Sequence, residues 1–224
     1  CSQRVRLALE EKELAWRSHH LDLSKNEHIT PQYQALNPKG VVPTLVHDGK
    51  VIVESNDILF YLEQQFPAPA LVPEDQAAFS TMKECMSLCG SSQDAMKVIT
   101  YDLLFRHFKT VSDEELRFLE KNRNNKDIIQ FMTDFQQDGE AWRCRVKDAH
   151  EVMNNTLSFL HVVLQTSPWL TGSEYGLADI AWVVNAQRLI QMKYPLDVCP
   201  TLVEWCERAT ARPAFKKAVE NYQP

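Results

Sequence analysis

Apolar residues in the first third of the chain switch between two periods. Residues 2–14 (SQRVRLALEEKEL) set Val5, Leu7, Ala8, Leu9 and Leu14 among charged neighbours, which suits a helix packed along one face. Residues 16–21 follow as an expected strand. The clearest β signal is residues 43–53, where VPTLV and KVIV flank the dipeptide Asp48-Gly49. Asp-Gly between apolar runs favours a tight turn with positive φ at both central residues, so a hairpin is predicted. Residues 56–66 (NDILFYLEQQF) carry apolar side chains at 58, 59, 62 and 66 and stop at Pro67, a helix with a defined end.

Near residue 70 the pattern changes. The stretch PAPALVP, residues 67–73, has three prolines in seven residues and the stiff, extended composition of a linker, so a domain boundary falls there. From Asp75 onward helix-period patterns predict five or six helices, punctuated at residues 122–125, at Ser167-Pro168 and at residues 193–200. Residues 177–192 are apolar on most sides and are expected to be buried. No internal repeat stands out, which argues against a solenoid.

Composition narrows the class. With 44% hydrophobic and 24% charged residues, 6 Gly and 11 Pro, the 224-residue chain can bury a core and fits one domain or two small ones. Its 24 basic and 30 acidic residues give a net charge of −6 with no basic stripe, which argues against nucleic acid as a partner. No window reaches the roughly 18 apolar residues of a membrane span, and the amino end lacks the form of a signal peptide, so a cytoplasmic protein without membrane association is expected. The six cysteines, at positions 1, 85, 89, 144, 199 and 206, lack scaffold density and paired zinc spacing, and are read as reduced thiols with no metal site. A chain that begins on Cys1 without an initiator Met is expected to lack residues of the natural protein.

Three clusters bear chemistry. Val42-Pro43, after Asn37-Pro38-Lys39-Gly40, is either a cis bond that turns the Val42 amide and carbonyl toward an extended ligand backbone, or an ordinary turn before an edge strand. Glu54-Ser55-Asn56 places Ser55 as the cap of the next helix and Glu54 as an acceptor for a ligand ammonium group; plain capping is the alternative. Cys1-Ser2-Gln3-Arg4 opens the first helix, where the macrodipole and nearby Arg4 and Arg6 lower a thiol's pKa. The alternative there is a mere truncation point.

In that order CSQRVRLALEEK, NPKGVVPTLVHDGKVIVESNDILFYLEQQFP and LTGSEYGLADIAW resemble the cytosolic glutathione transferases, over nearly the whole chain. The look is nearest the cysteine-type branch of tetrachlorohydroquinone dehalogenase and β-etherases. The resemblance implies an α+β thioredoxin-like domain over residues 1–68, its first strand ahead of Cys1, then a linker at 69–74 and an all-helical domain at 75–224 with an apolar substrate pocket. It implies glutathione as co-substrate, with Val42 and cis-Pro43 at its cysteinyl part, Glu54 and Ser55 at the γ-glutamyl end, and Lys39 or His28 at the glycine carboxylate. Cys1 becomes the catalytic thiol, as in the dehalogenase-like relatives, with Ser2 as the alternative; zeta-like and omega-like relatives instead place the catalytic Ser or Cys two residues ahead of that position. A homodimer is implied as well.

Gly176 departs from the family, which usually has Ser or Thr there. Asp179 then keeps half of a capping box and is expected to serve folding, not turnover. Within MKVITYDLLF, Thr100, Tyr101 and Phe105 are the candidates to meet a hydrophobic electrophile or a glutathione conjugate; core packing is their alternative role. One arginine of Arg143 and Arg145 is a weaker candidate to meet an acidic substrate. The expected activity is that of a glutathione S-transferase, by conjugation or by a thiol route such as deglutathionylation, reductive dehalogenation or ether cleavage. The rival is a binding or regulatory protein that keeps the fold without catalysis.

Overall fold

The computed structural model describes residues 1–108, 110–122 and 126–223. Its elements in chain order are α1 (Ser2–Glu11), α2 (Pro31–Gln34), β1 (Thr44–His47), β2 (Lys50–Val53), α3 (Ser55–Gln65), α4 (Gln76–Ser91), α5 (Gln93–Leu103), α6 (Asp113–Asn122), α7 (Lys126–Gln137), α8 (Glu140–Thr166), α9 (Leu177–Gln191), α10 (Thr201–Thr210) and α11 (Pro213–Phe215). A π-turn over Lys216–Glu220 continues α11. The class is the expected one, a small sheet with helices followed by helices alone. Two compact units form: Cys1–His20, Val42–Ser92 and Asn154–Pro224 make the first, Leu21–Val41 and Gln93–Met153 the second.

In the first unit α1 buries Val5, Leu7, Ala8 and Leu9 against α3, α9, α11 and the π-turn. The hairpin pairs Thr44 with Val53 through His47 with Lys50, and Asp48 and Gly49 turn it at φ 48° and 77° as a mirror-image turn requires. Residues 16–21 are not a strand. Among the described residues the sheet has only β1 and β2, and alternation cannot make a strand where no neighbouring ladder takes its backbone groups. Trp16 instead donates its indole N–H to Glu10 at 2.9 Å.

Lys12 shows how α1 is fastened. Its side chain is fully buried, and Nζ reaches the carbonyls of Phe66 at 2.7 Å and Pro69 at 2.9 Å and the Glu63 carboxylate at 2.6 Å. The cation thus caps the carboxyl end of α3, where the dipole favours it, and holds the proline segment. Glu63 also accepts from the Leu71 amide.

The amino end of α9 is the second anchor. The Asp179 carboxylate, wholly buried, accepts from the amides of Leu170 (2.8 Å), Thr171 (3.1 Å) and Gly176 (3.1 Å) and from the Trp205 indole (2.8 Å). Burial raises its pKa, and those donors act against the rise. The half of the capping box that Gly176 lacks is supplied by Thr171, whose hydroxyl accepts from the Ala178 amide at 3.1 Å, while Leu177 donates to the Leu71 carbonyl at 2.9 Å. That close approach explains the glycine: a Cβ at 176 would lie 2.2 Å from the Leu71 oxygen.

From Asp75 on, the described residues hold eight helices, α4 to α11, where the pattern predicts five or six. One unforeseen break is at Ser92, which neither Gly nor Pro marks; it is held by a bond from its amide to Leu88. Of the expected punctuation at 122–125, residues 123–125 lie outside the described residues. The breaks after Thr166 and Gln191 fall where predicted.

The second unit is built on rings. Tyr101 stands edge-on to Phe105, Phe131 and Phe135 at centroid distances of 4.9, 4.9 and 5.1 Å, and the last two abut Trp142. Edge-to-face geometry is the favourable one. Trp142 donates to Asp102 at 3.1 Å, and Arg106 bridges Asp102 and Asp138 at 2.8 and 2.7 Å.

Two substitutions test the α9 anchor. Asp179→Ala strands buried donors and is expected to lower stability by about 3–5 kcal/mol, read as a fall in urea midpoint at unchanged m. Gly176→Ser installs the residue usual in the transferases that the sequence resembles, yet drives its Cβ into backbone and should cost about 1–3 kcal/mol; a stabilised variant would contradict the packing described.

Candidate functional site

The hairpin register brings two of the three sequence clusters to one end. Because Thr44 faces Val53, Val42-Pro43 and Glu54-Ser55 flank the same end of the ladder. The Val42-Pro43 bond is cis, and Val42 lies outside the ladder.

Glu54 carries the least ordinary backbone of the site, φ 63° and ψ 122°. A non-glycine residue in that region costs on the order of 1–3 kcal/mol and survives where its surroundings impose it, often at functional sites. The structure corrects one expectation here: Ser55 is the first helical residue of α3, not its cap. Glu54 occupies the cap position and makes no side-chain capping bond, while its carbonyl accepts from Ile58 at 3.0 Å. The positive φ at residue 54 moves the boundary one residue back from where a Ser-capped helix would begin. The first amides of α3 thus stand at a helix start that no side chain of the cap position covers, a geometry that suits a carboxylate.

Cys1 is the cap residue of α1 and is exposed; its carbonyl accepts from Arg4 at 3.1 Å. Ser2 begins the helix half-buried. No acidic side chain lies in the first turn, so nothing there offsets the positive helix end. Of the other thiols, burial pushes Cys85 up to about 12 and Cys206 up to about 11, and it raises Cys89 and Cys199 too. Only Cys144 shares Cys1's exposure.

The remaining candidates lie in the second unit. Lys39 is exposed in a loop whose shape is set by Tyr33 and Asn37, which donate to the Val41 carbonyl at 2.7 and 2.8 Å, while His28 is buried. Thr100 is buried and donates its hydroxyl to Met96 in its own helix at 2.7 Å. Tyr101 and Phe105 are together in the ring cluster, each half-buried. Arg145 pairs with Asp134 at 2.5 Å.

Sequence reasoning gave Arg4 only a share of the local charge, yet it is among the most buried side chains, at 1% exposure. The signal was its spacing: residues 4, 5 and 8 lie on one stripe of α1.

Comparison with known proteins gives the class. Residues 1–65 match the model of the glutathione S-transferase N-terminal domain. Maleylacetoacetate isomerase of Pseudomonas aeruginosa is 27% identical over all of this chain and 92% of its own. The tetrachloro-p-hydroquinone reductive dehalogenase of Sphingobium chlorophenolicum is 28% identical over 97% of this chain and 91% of its own. Among solved structures, the β-etherase LigF of Sphingobium sp. strain SYK-6 superposes with TM-score 0.80 at 26% identity, covering 98% of this chain and 94% of that one. A theta class glutathione S-transferase of Xanthomonas axonopodis pv. citri, solved with glutathione bound, gives 0.74 at 24% over 99% and 92%. Over residues 1–65 the chain thus resembles the glutathione S-transferases. The proteins it is similar to along its length include an isomerase, a dehalogenase and a β-etherase.

The burial pattern predicts the thiol count. Under native conditions a thiol reagent should label Cys1 and Cys144 quickly, and the other four of the six cysteines only on unfolding. Rapid native labelling of Cys85 or Cys89, read by peptide mass, would contradict the packing of α4.

Proposed function

We propose that the protein is a glutathione S-transferase whose co-substrate lies along the end of the hairpin where Pro43 and Glu54 meet. One observation carries the reading: the Thr44–Val53 register places the cis Val42-Pro43 bond and the left-handed Glu54 at the same end of one ladder. Val42 pairs through its backbone with the cysteinyl part of glutathione, and Glu54 takes the γ-glutamyl ammonium. The first amides of α3, with Ser55, take the γ-glutamyl carboxylate, and Lys39 the glycine carboxylate. Cys1 is the catalytic thiol, with Ser2 as the alternative donor. Support comes from the match of residues 1–65 to the glutathione S-transferase N-terminal domain and from the likeness of the fold to a transferase solved with glutathione bound.

In this reading residues 1–68 hold glutathione and residues 75–224 supply the apolar pocket, with 69–74 as linker. Thr100, Tyr101 and Phe105 contact a hydrophobic electrophile or a glutathione conjugate. In conjugation, glutathione gives its proton to solvent, and the thiolate attacks an electrophilic carbon and expels a leaving anion. In the thiol route, the Cys1 thiolate attacks the glutathionyl sulfur of a mixed disulfide and expels the other thiolate. A second glutathione then releases Cys1 as it forms glutathione disulfide. The presence of Cys1 at a helix start and the dehalogenase relative favour the second route. We place the protein in the cytoplasm as a homodimer; among the described residues no helix is long and apolar enough to cross a membrane.

Calorimetry tests the site. Glu54→Ala is expected to weaken glutathione at least about tenfold, roughly 1.4 kcal/mol. Unchanged affinity would remove Glu54 from the site.

A further inference from the structure

We propose that Arg4 is a positioning residue, a buried cation at the amino end of α1 that keeps an anionic sulfur ionised, either that of Cys1 or that of glutathione bound beside it. The proposal rests on the glutathione reading above.

Two independent features meet at this helix end. The first is the start of α1 itself, a ten-residue helix capped by Cys1 with no acid in its first turn. The second is Arg4, 1% exposed, whose Nε and Nη2 atoms are buried without a hydrogen-bond partner. Among the described residues no carboxylate pairs with it, although its neighbours in the chain are well matched. Arg6 donates to the Ala218 carbonyl at 2.9 Å and covers the Tyr222 ring, and Lys12 pairs with Glu63. Arg212 grips Glu11, and Lys217 grips Glu10. A buried guanidinium with unmet donors is costly, and native structures seldom keep one without a purpose.

Among the described residues no ion pair ties an acid of the surrounding elements to Arg4. Around α1 the ionisable groups are the Cys1 amino group, which burial and then the Arg4 charge hold at a lowered pKa of about 5, Asp57, Tyr61 and Glu63 on α3, Asp179 and Arg188 on α9, and Lys216, Lys217 and Glu220 on the π-turn. Glu63, Asp179 and Lys217 are committed to the partners already described. Arg188 responds to Arg4 as to a like charge: after desolvation, the Arg4 charge holds its pKa below the ordinary value. Cys89 on α4 also feels Arg4, but burial outweighs that charge and keeps its thiol protonated. In this proposal the anion that meets Arg4 is one that arrives, or ionises, at the residue one helical turn away. An opposite charge within a few ångström lowers a thiol pKa by about one unit or more.

The test compares Arg4→Met, which keeps length and packing without charge, with Arg4→Lys, which restores charge. All variants carry Cys144→Ser so that a single exposed thiol remains. One arm follows the pH dependence of Cys1 alkylation by iodoacetamide without glutathione; the other follows ultraviolet thiolate absorbance with glutathione saturating. In one arm Arg4→Met is expected to cut the thiolate fraction at neutral pH about tenfold, with recovery in Arg4→Lys. The arm that moves identifies the sulfur. Unchanged titrations in both arms, or a loss that Arg4→Lys fails to restore, would overturn the proposal and leave Arg4 a packing residue. Absence of calorimetric glutathione binding by the unaltered protein would instead overturn the parent reading, while the alkylation arm would still judge Arg4.

Discussion

A buried carboxylate needs donors, and Asp179 receives four. That requirement orders much of the first unit. It fixes the Leu170–Thr171 turn, the start of α9 and the indole of Trp205 on α10 in one arrangement. Through the Leu177 amide the same helix start holds the Leu71 carbonyl, and Leu71 is in turn tied to Glu63 and hence to Lys12. Charge satisfaction in a dry interior, more than helix propensity, explains why these segments meet where they do.

The hairpin does for the site what Asp179 does for the core. Four residue pairs and a mirror-image turn leave no freedom of register, since a slip by one would exchange the faces of both strands. The cis bond and the strained Glu54 are therefore presented together as a matter of sheet geometry. Glu54 breaks a local conformational preference at a place where a ligand reading gives it work, and the two facts belong together.

Much of this was legible in the chain, and for identifiable reasons. Asp48-Gly49 declared its turn because few residues tolerate two positive φ angles, and Pro67 declared the end of α3 because proline cannot extend a helix. The strand expected at residues 16–21 failed since β structure depends on a neighbour, which no local pattern reports. The role of Thr171 in place of the absent cap side chain was hidden for a similar reason: it lies five residues before Gly176, on a turn brought back by tertiary folding. Ser55 was misplaced by one residue because composition favours serine as a cap, whereas the backbone at Glu54 had already changed hand. Arg4 entered the reading of the sequence only as positive charge near Cys1, although its helical spacing put it among apolar residues.

The Asp48-Gly49 turn has a practical bearing. At about 3.3 Å per residue, four paired positions separate it from the opposite end of the ladder by roughly 13 Å. At that tip the Asp48 side chain is 93% exposed. A dye or a surface tether attached at this tip would report on the hairpin without standing in the way of whatever enters at its other end.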